Sequence, residues 1–180
     1  MNIFVLDENP KTAAEYMCDK HVVKMIVESC QLLSTAHHIL DGKKIERTNK
    51  IGRKFTTWEK SGNYLRCTMA NHPCTIWTRE SSSNYNWLWL HTKSLMEEYT
   101  YRYEKTHVYE NELLRLLQVC PTSIRSGRLT HFAQAMPDEF KNQDPVIAYR
   151  NYYLGAKARF AKWRKGNIPS WWLTSKEVLV

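Results

Sequence analysis

Between Pro10 and Leu40 the chain runs without glycine or an interior proline, and apolar residues recur at helical spacing, at Ala13, Ala14, Met17, Val22, Ile26 and Leu33. A helix that long, apolar along one stripe, needs other elements to cover it, so the run commits the chain to a helix-on-helix core. Asn9-Pro10 is a start signal, a capping side chain followed by a proline whose missing N–H has no role in the first turn, and Asp41-Gly42 is a stop. A bend near Asp19 is expected at this length. Ahead of the helix the apolar run Ile3-Phe4-Val5-Leu6 predicts that the N-terminus is tucked against it.

Downstream, Asn71-His72-Pro73 opens a second helical pattern, carried by Ile76, Trp77, Tyr85, Leu88, Trp89, Leu95, Met96 and Tyr99, with a break into two helices at residues 81–84. Trp87 and Trp89 are expected to pack inward. A shorter helix is predicted over Tyr109–Val119, ended by Cys120-Pro121, with an irregular stretch to Asp138. A last long helix is predicted from Asp144-Pro145 to Lys165, leading to Pro169-Ser170-Trp171-Trp172. Residues 43–56 hold six basic residues against one acid with little apolar periodicity, which predicts an exposed loop. The expectation is one all-α domain over residues 1–180, a compact helical bundle with irregular connections and a buried N-terminal segment.

The balance of charge narrows the partner. There are 26 Lys and Arg against 18 Asp and Glu, a net charge of +8, and aromatic residues make up 12% of the chain, interleaved with basic ones. Such a mixture can neutralise phosphates and stack on bases, so nucleic acid is the expected partner. The five cysteines include no Cys-x-x-Cys pair and the first residues lack a basic, then apolar leader, which points to free thiols, a cytoplasmic protein and no membrane. A monomer is expected. His37-His38, His72 and Cys74 lack ligand spacing, so neither a metal nor another cofactor is expected, and no phosphate-binding glycine loop or nucleophile elbow occurs.

Chemistry concentrates on the helix segment from Asp19 to Glu28. Helical periodicity puts Lys20, Lys24 and Glu28 on one polar face with His21 beside them, and that face is either a solvated one held by the Lys24–Glu28 pairing or a site. An α-amine, with a pKa near 8, is partly neutral at pH 7 and can attack an electrophilic carbon, and a carboxylate beside it can move protons or stabilise an oxocarbenium-like sugar.

The aspartate-x-histidine run Asp19-Lys20-His21, with Glu28 nine residues after the aspartate, resembles phage-type pyrimidine-dimer DNA glycosylases, the endonuclease V-type UV repair enzymes. Residues 71–107 are similar to the middle helix of that family, and Asp144–Trp172 to its final helix and aromatic ending. The resemblance implies an all-helical fold that bends DNA, an N-terminal amine, of Met1 or Asn2, attacking the sugar C1′, Glu28 in the role of the essential glutamate, and His21 holding the damaged strand. It also implies Trp171 and Trp172 near the DNA; the charge pattern adds Lys20, Lys24, Asn71, His72, Arg79, Arg150, Lys157, Arg159, Lys162 and Arg164 to the expected DNA-facing set, with the basic side chains of residues 43–54 also expected on the phosphates. Asn2 stands where the best-known members carry threonine, and Val27 where they carry arginine before the glutamate. Read from the residues alone, three alternatives stay open: a nucleic-acid-binding accessory protein without catalysis, a group-transfer enzyme acting on a base or nucleotide, and a structural or protein-interaction role.

Overall fold

The computed structural model describes residues 1–166 and 168–177. Among these residues seven α-helices are formed, α1 (Pro10–Glu15), α2 (Asp19–Asp41), α3 (Pro73–Thr78), α4 (Ser82–Tyr103), α5 (Glu112–Leu116), α6 (Pro145–Tyr152) and α7 (Ser170–Glu177), together with two strands, β1 (Lys43–Thr48) and β2 (Lys54–Glu59). The start signals act as read: Asn9 Oδ1 accepts from the Lys11 and Thr12 amides at 3.0 and 3.2 Å, His72 Nδ1 from the Cys74 amide, and Asp144 Oδ1 from the Val146 amide. Ser81 Oγ caps α4 through the Asn84 amide, which places the expected break between α3 and α4.

The two long helices α2 and α4 pack together, and α1 and α3 pack on them. Val22, Met25, Ile26, Leu32 and Leu33 of α2 and Tyr85, Leu88, Leu95 and Met96 of α4 lie in one core with Ile3, Val5 and Leu6 of the tucked N-terminal segment. Trp87 is buried; Trp89 is half-buried, its indole N–H donating to the Leu114 carbonyl at 2.9 Å.

Where the bend near Asp19 was expected, the helix is interrupted over residues 16–18 and the carbonyls freed there are taken by one buried guanidinium. Arg102, near the end of α4, donates to the carbonyls of Met17 (2.7 Å) and Glu15 (2.9 Å) and to the carboxylates of Glu98 (2.7 Å) and Asp19 (3.2 Å). Asp19 also accepts from the Arg164 amide at 2.9 and 3.0 Å, so it ties α2, α4 and the C-terminal segment.

Three expectations are corrected. The fold is mostly helical but not all-α, because residues 43–59 form an antiparallel hairpin with Lys43 opposite Glu59 and Thr48 opposite Lys54. Its strands bury neither face, so no apolar alternation marks them; the available signal was the Asn49-Lys50-Ile51-Gly52 turn between β-branched and aromatic residues. The last long helix ends at Tyr152 and widens over Tyr153–Lys157, where Gly155 lies so close to Phe140 that a Cβ would come within 2.5 Å of its ring. The helix over 109–119 shrinks to the five residues of α5.

Candidate active site

Six residues of irregular chain run from Met1 into the core, and an asparagine sets their path. Asn2 is buried; its Nδ2 donates to the Ala135 carbonyl at 2.7 Å, while its Oδ1 accepts from the amides of Ile3 (2.7 Å) and Phe4 (3.2 Å). Phe4 takes a positive φ of 40°, a backbone state costly for a side chain of this size, held by ring packing on His21 (4.3 Å between centroids) and Tyr152 (6.0 Å, stacked).

The result is that the chain end meets Glu28 on the second helix. The Met1 α-amine lies 3.9 Å from Glu28 Oε2, the Asn2 amide donates to the same oxygen at 3.1 Å, and Lys24 Nζ stands 3.2 Å from Oε1. The Glu28 side chain is only 15% exposed, whereas Lys24 is 67% exposed, so the carboxylate is recessed and its lysine partner reaches into solvent. The half-buried His72 is within electrostatic reach of both groups: burial lowers its basicity, the charge of the amine lowers it further, and Glu28 opposes. Because His72 Nδ1 accepts from the Cys74 amide at 3.2 Å, the neutral ring carries its proton on Nε2.

His21 sits behind this group rather than on the solvent-facing side with Lys24. It is 5% exposed, its Nδ1 shares a hydrogen bond with the Tyr153 hydroxyl at 2.5 Å, and Phe4 and Phe160 pack on its ring. Burial, followed by the charges of Lys157 and Lys24, pushes its pKa down to about 3, so it is a neutral support for the N-terminal segment.

Of the expected DNA-facing set, Lys20, Lys24, Asn71, Arg159, Lys162 and Arg164 are exposed. Lys20 lies over the Phe160 ring at 5.2 Å and Lys157 over Tyr152 at 4.2 Å, its Nζ donating to the Tyr152 hydroxyl, which gives the Glu28 side of the molecule a cationic rim. Others are occupied structurally. Arg150 donates to the Leu6 carbonyl at 2.9 Å and pairs with Asp7, Arg79 donates to the Ala70 carbonyl at 2.8 Å, and Trp172, 4% exposed, packs on Trp163. Trp171 is half-buried against Tyr153 and Tyr16. Arg102, Ala135 and Tyr153 support the site and were not among the expected residues; each acts across more than eighty residues of sequence, where helical spacing carries no signal.

Cavities open on the surface away from Glu28. One, of about 290 Å³, is lined by Lys11, Glu15, Ser94, Glu97, Glu98 and Tyr101; a second, of about 540 Å³, lies between His131–Gln134 and Lys141–Gln143. Neither includes Met1 or Glu28, and the second begins one residue from Ala135, the partner of Asn2. Among the described residues no group of three or more His, Cys, Asp or Glu is arranged to hold a metal, and no helix is long and apolar enough to cross a membrane.

Comparison with curated proteins and with solved structures finds no match. A sequence model of the family described as pyrimidine dimer DNA glycosylase matches residues 1–111, a span that holds Met1, Glu28, His72 and helices α1 to α4. On that match, over more than half of its length, the chain belongs to the pyrimidine dimer DNA glycosylase family.

Proposed function

We propose that the protein is a base-excision enzyme acting on damaged or modified pyrimidines in duplex DNA, an N-glycosylase with a lyase step. The observation that carries this reading is the convergence of the Met1 amine and the Asn2 nitrogen on one recessed carboxylate, at 3.9 and 3.1 Å. The amine lone pair attacks C1′ as the bond to the base breaks, and the base leaves with the electron pair and takes up a proton. Glu28 stabilises the positive charge that develops on the sugar, accepts a proton from the amine adduct and returns it to O4′ as the C1′–O4′ bond breaks and the nitrogen lone pair forms the iminium. Loss of a C2′ proton from the iminium expels the 3′ phosphate and cuts the strand. If Met1 is removed, the Asn2 nitrogen takes over as the nucleophile in the same place.

In this reading His72 is a neutral hydrogen-bond donor through Nε2–H, because its Nδ1 is taken by the Cys74 amide, and the proton leaving the amine goes to Glu28. Lys20, Lys24, Lys157, Arg159 and Lys162 bind the phosphates around the damaged nucleotide. His21 is a positioning residue, acting through Phe4. The test is borohydride trapping on UV-irradiated and abasic duplexes with wild type and Glu28→Gln. A covalent protein–DNA adduct on abasic DNA, and one on irradiated DNA that disappears with Glu28→Gln, is the expected result. Protein that binds both duplexes but yields neither adduct nor cleavage refutes the mechanism.

A further inference from the structure

The β1–β2 hairpin is the largest cationic feature outside the site. Between Lys43 and Lys60 lie seven basic residues and two acids, and both acids are neutralised within the hairpin, Glu59 by Arg47 and Glu46 by Lys54, while Lys60 pairs with Asp41 at 3.0 Å. Lys43, Lys44, Lys50 and Arg53 are exposed and have no acidic partner among the described residues. Both strands pack on α2 at their base, and the rest stands in solvent.

The tip is rigid. Asn49 and Arg53 are joined through their backbones at 3.0 Å, the Gly52 amide donates to the Asn49 carbonyl at 3.0 Å, and Asn49 Oδ1 accepts from the amides of Ile51 (3.1 Å) and Arg53 (2.9 Å), with Gly52 at φ 81° completing the turn. That fixed turn presents Ile51, 85% exposed, between two free cations. The apolar side chain is thus held outward at the tip, beside the uncompensated charge of Lys50 and Arg53.

Resting on the reading of the chain as a DNA-acting enzyme, we infer that the hairpin is a second DNA-binding arm, in which Lys43, Lys44, Lys50 and Arg53 neutralise phosphates and Ile51 enters the minor groove of the flanking duplex. Phosphates match the uncompensated charge, and an apolar tip flanked by cations is the chemistry that fits between base steps. The geometry makes this contact separate from the active site. Asp41 lies thirteen residues beyond Glu28 along α2, about 20 Å of helix, and each six-residue strand adds about 20 Å of reach. The hairpin is therefore rooted about 20 Å along α2 from Glu28, beyond the reach of a duplex only about three base pairs long on either side of the excised base.

The test uses the full chain with Lys50, Ile51 and Arg53 all changed to Ser, leaving Asn49 and Gly52 to keep the turn, and Ile51→Ser alone. Binding is measured by anisotropy against a 25-base-pair duplex with a central abasic analogue and against a short stem-loop carrying the same site with about three pairs on either side. The triple variant is expected to bind the long duplex at least tenfold more weakly, with a salt dependence shallower by about two phosphates, and the stem-loop as wild type does. Ile51→Ser is expected to weaken only long-duplex binding, about threefold or more, at an unchanged salt slope. Long-duplex affinity within twofold of wild type for the triple variant overturns the arm. Borohydride trapping by the wild type reports the amine chemistry independently: an adduct with unchanged arm variants rejects the arm alone, whereas no adduct with weakened arm variants rejects the chemistry and keeps the arm.

Discussion

Three buried histidines make stability fall steeply in mild acid. His21, His37 and His91 are almost fully enclosed, and burial pushes their pKa values to about 3, 4 and 4. The hydrogen bonds explain why the charged forms are disfavoured. Tyr85 donates its hydroxyl proton to the Leu117 carbonyl and so accepts from His37 Nε2, which leaves His37 Nδ1 bare; His91 Nδ1 donates to the Pro10 carbonyl, which leaves Nε2 bare. Protonating His91 Nε2 would bury an N–H with no acceptor, while for His37 burial and the charge of Lys60 outweigh the backbone acceptor at Val119. In the unfolded chain each histidine titrates near 6.5, so below that pH the unfolded state takes up protons that the folded state refuses. Stability is thus full above pH 6.5 and is lost as pH falls toward the folded values. By pH 5 each histidine costs about 2 kcal/mol, and the three together about 6 kcal/mol, a large part of the roughly 5–15 kcal/mol of a typical domain. His72 and His107, lowered by burial, add in the same direction, while Glu98, raised by burial against Arg102, opposes. Urea unfolding at pH 7.5, 6 and 5 measures this, with the midpoint dropping at constant slope. A loss below about 2 kcal/mol between pH 7.5 and 5, or NMR titration of these rings near pH 6.5, refutes the reasoning.

Arg102→Met is expected to cost about 3–5 kcal/mol in urea unfolding, because it leaves Glu98 charged and unpaired and strips two carbonyls at the α1–α2 junction. Gly42→Ala forces a Cβ within 2.3 Å of the His38 carbonyl oxygen and 2.7 Å of that of Glu59, so it should lower stability by about 2 kcal/mol or more and shift hairpin amide signals in NMR, leaving those around Glu28 in place. Asn2→Ala removes one donor and one shared acceptor from the N-terminal segment; a loss of about 2 kcal/mol and at least tenfold slower borohydride trapping are expected. With asparagine second in the chain, peptide mapping of a trapped adduct should place DNA on Met1.

Elements with local signals were legible. Asn9-Pro10, His72-Pro73 and Asp144-Pro145 each begin a helix because a cap and a proline act within four residues, and Ile3–Leu6 announced a buried N-terminus. Glu28 and Lys24 are paired at the expected i,i+4 spacing. What stayed hidden depends on distant partners. Asp19 stood out in the sequence by its spacing from Glu28, and its work in the fold is to anchor Arg102 and the Arg164 amide. His21 shares a helix with Glu28 but turns toward Tyr153, 132 positions away, a choice that side-chain spacing on α2 does not determine. The hairpin escaped notice because an exposed two-stranded ribbon needs no apolar face.

The inward path of residues 1–6 has a practical and an energetic consequence. A peptide fused upstream of Met1 would turn the amine into an amide and would have to leave through the narrow space beside Glu28, so a purification tag belongs at the other end of the chain. Chain ends are ordinarily loose, and fixing one in front of a substrate costs roughly 1–2 kcal/mol per residue in backbone entropy. Here Asn2, Phe4 and Leu6 fix that end during folding, so a nucleic acid arriving at Glu28 would meet an amine already in place.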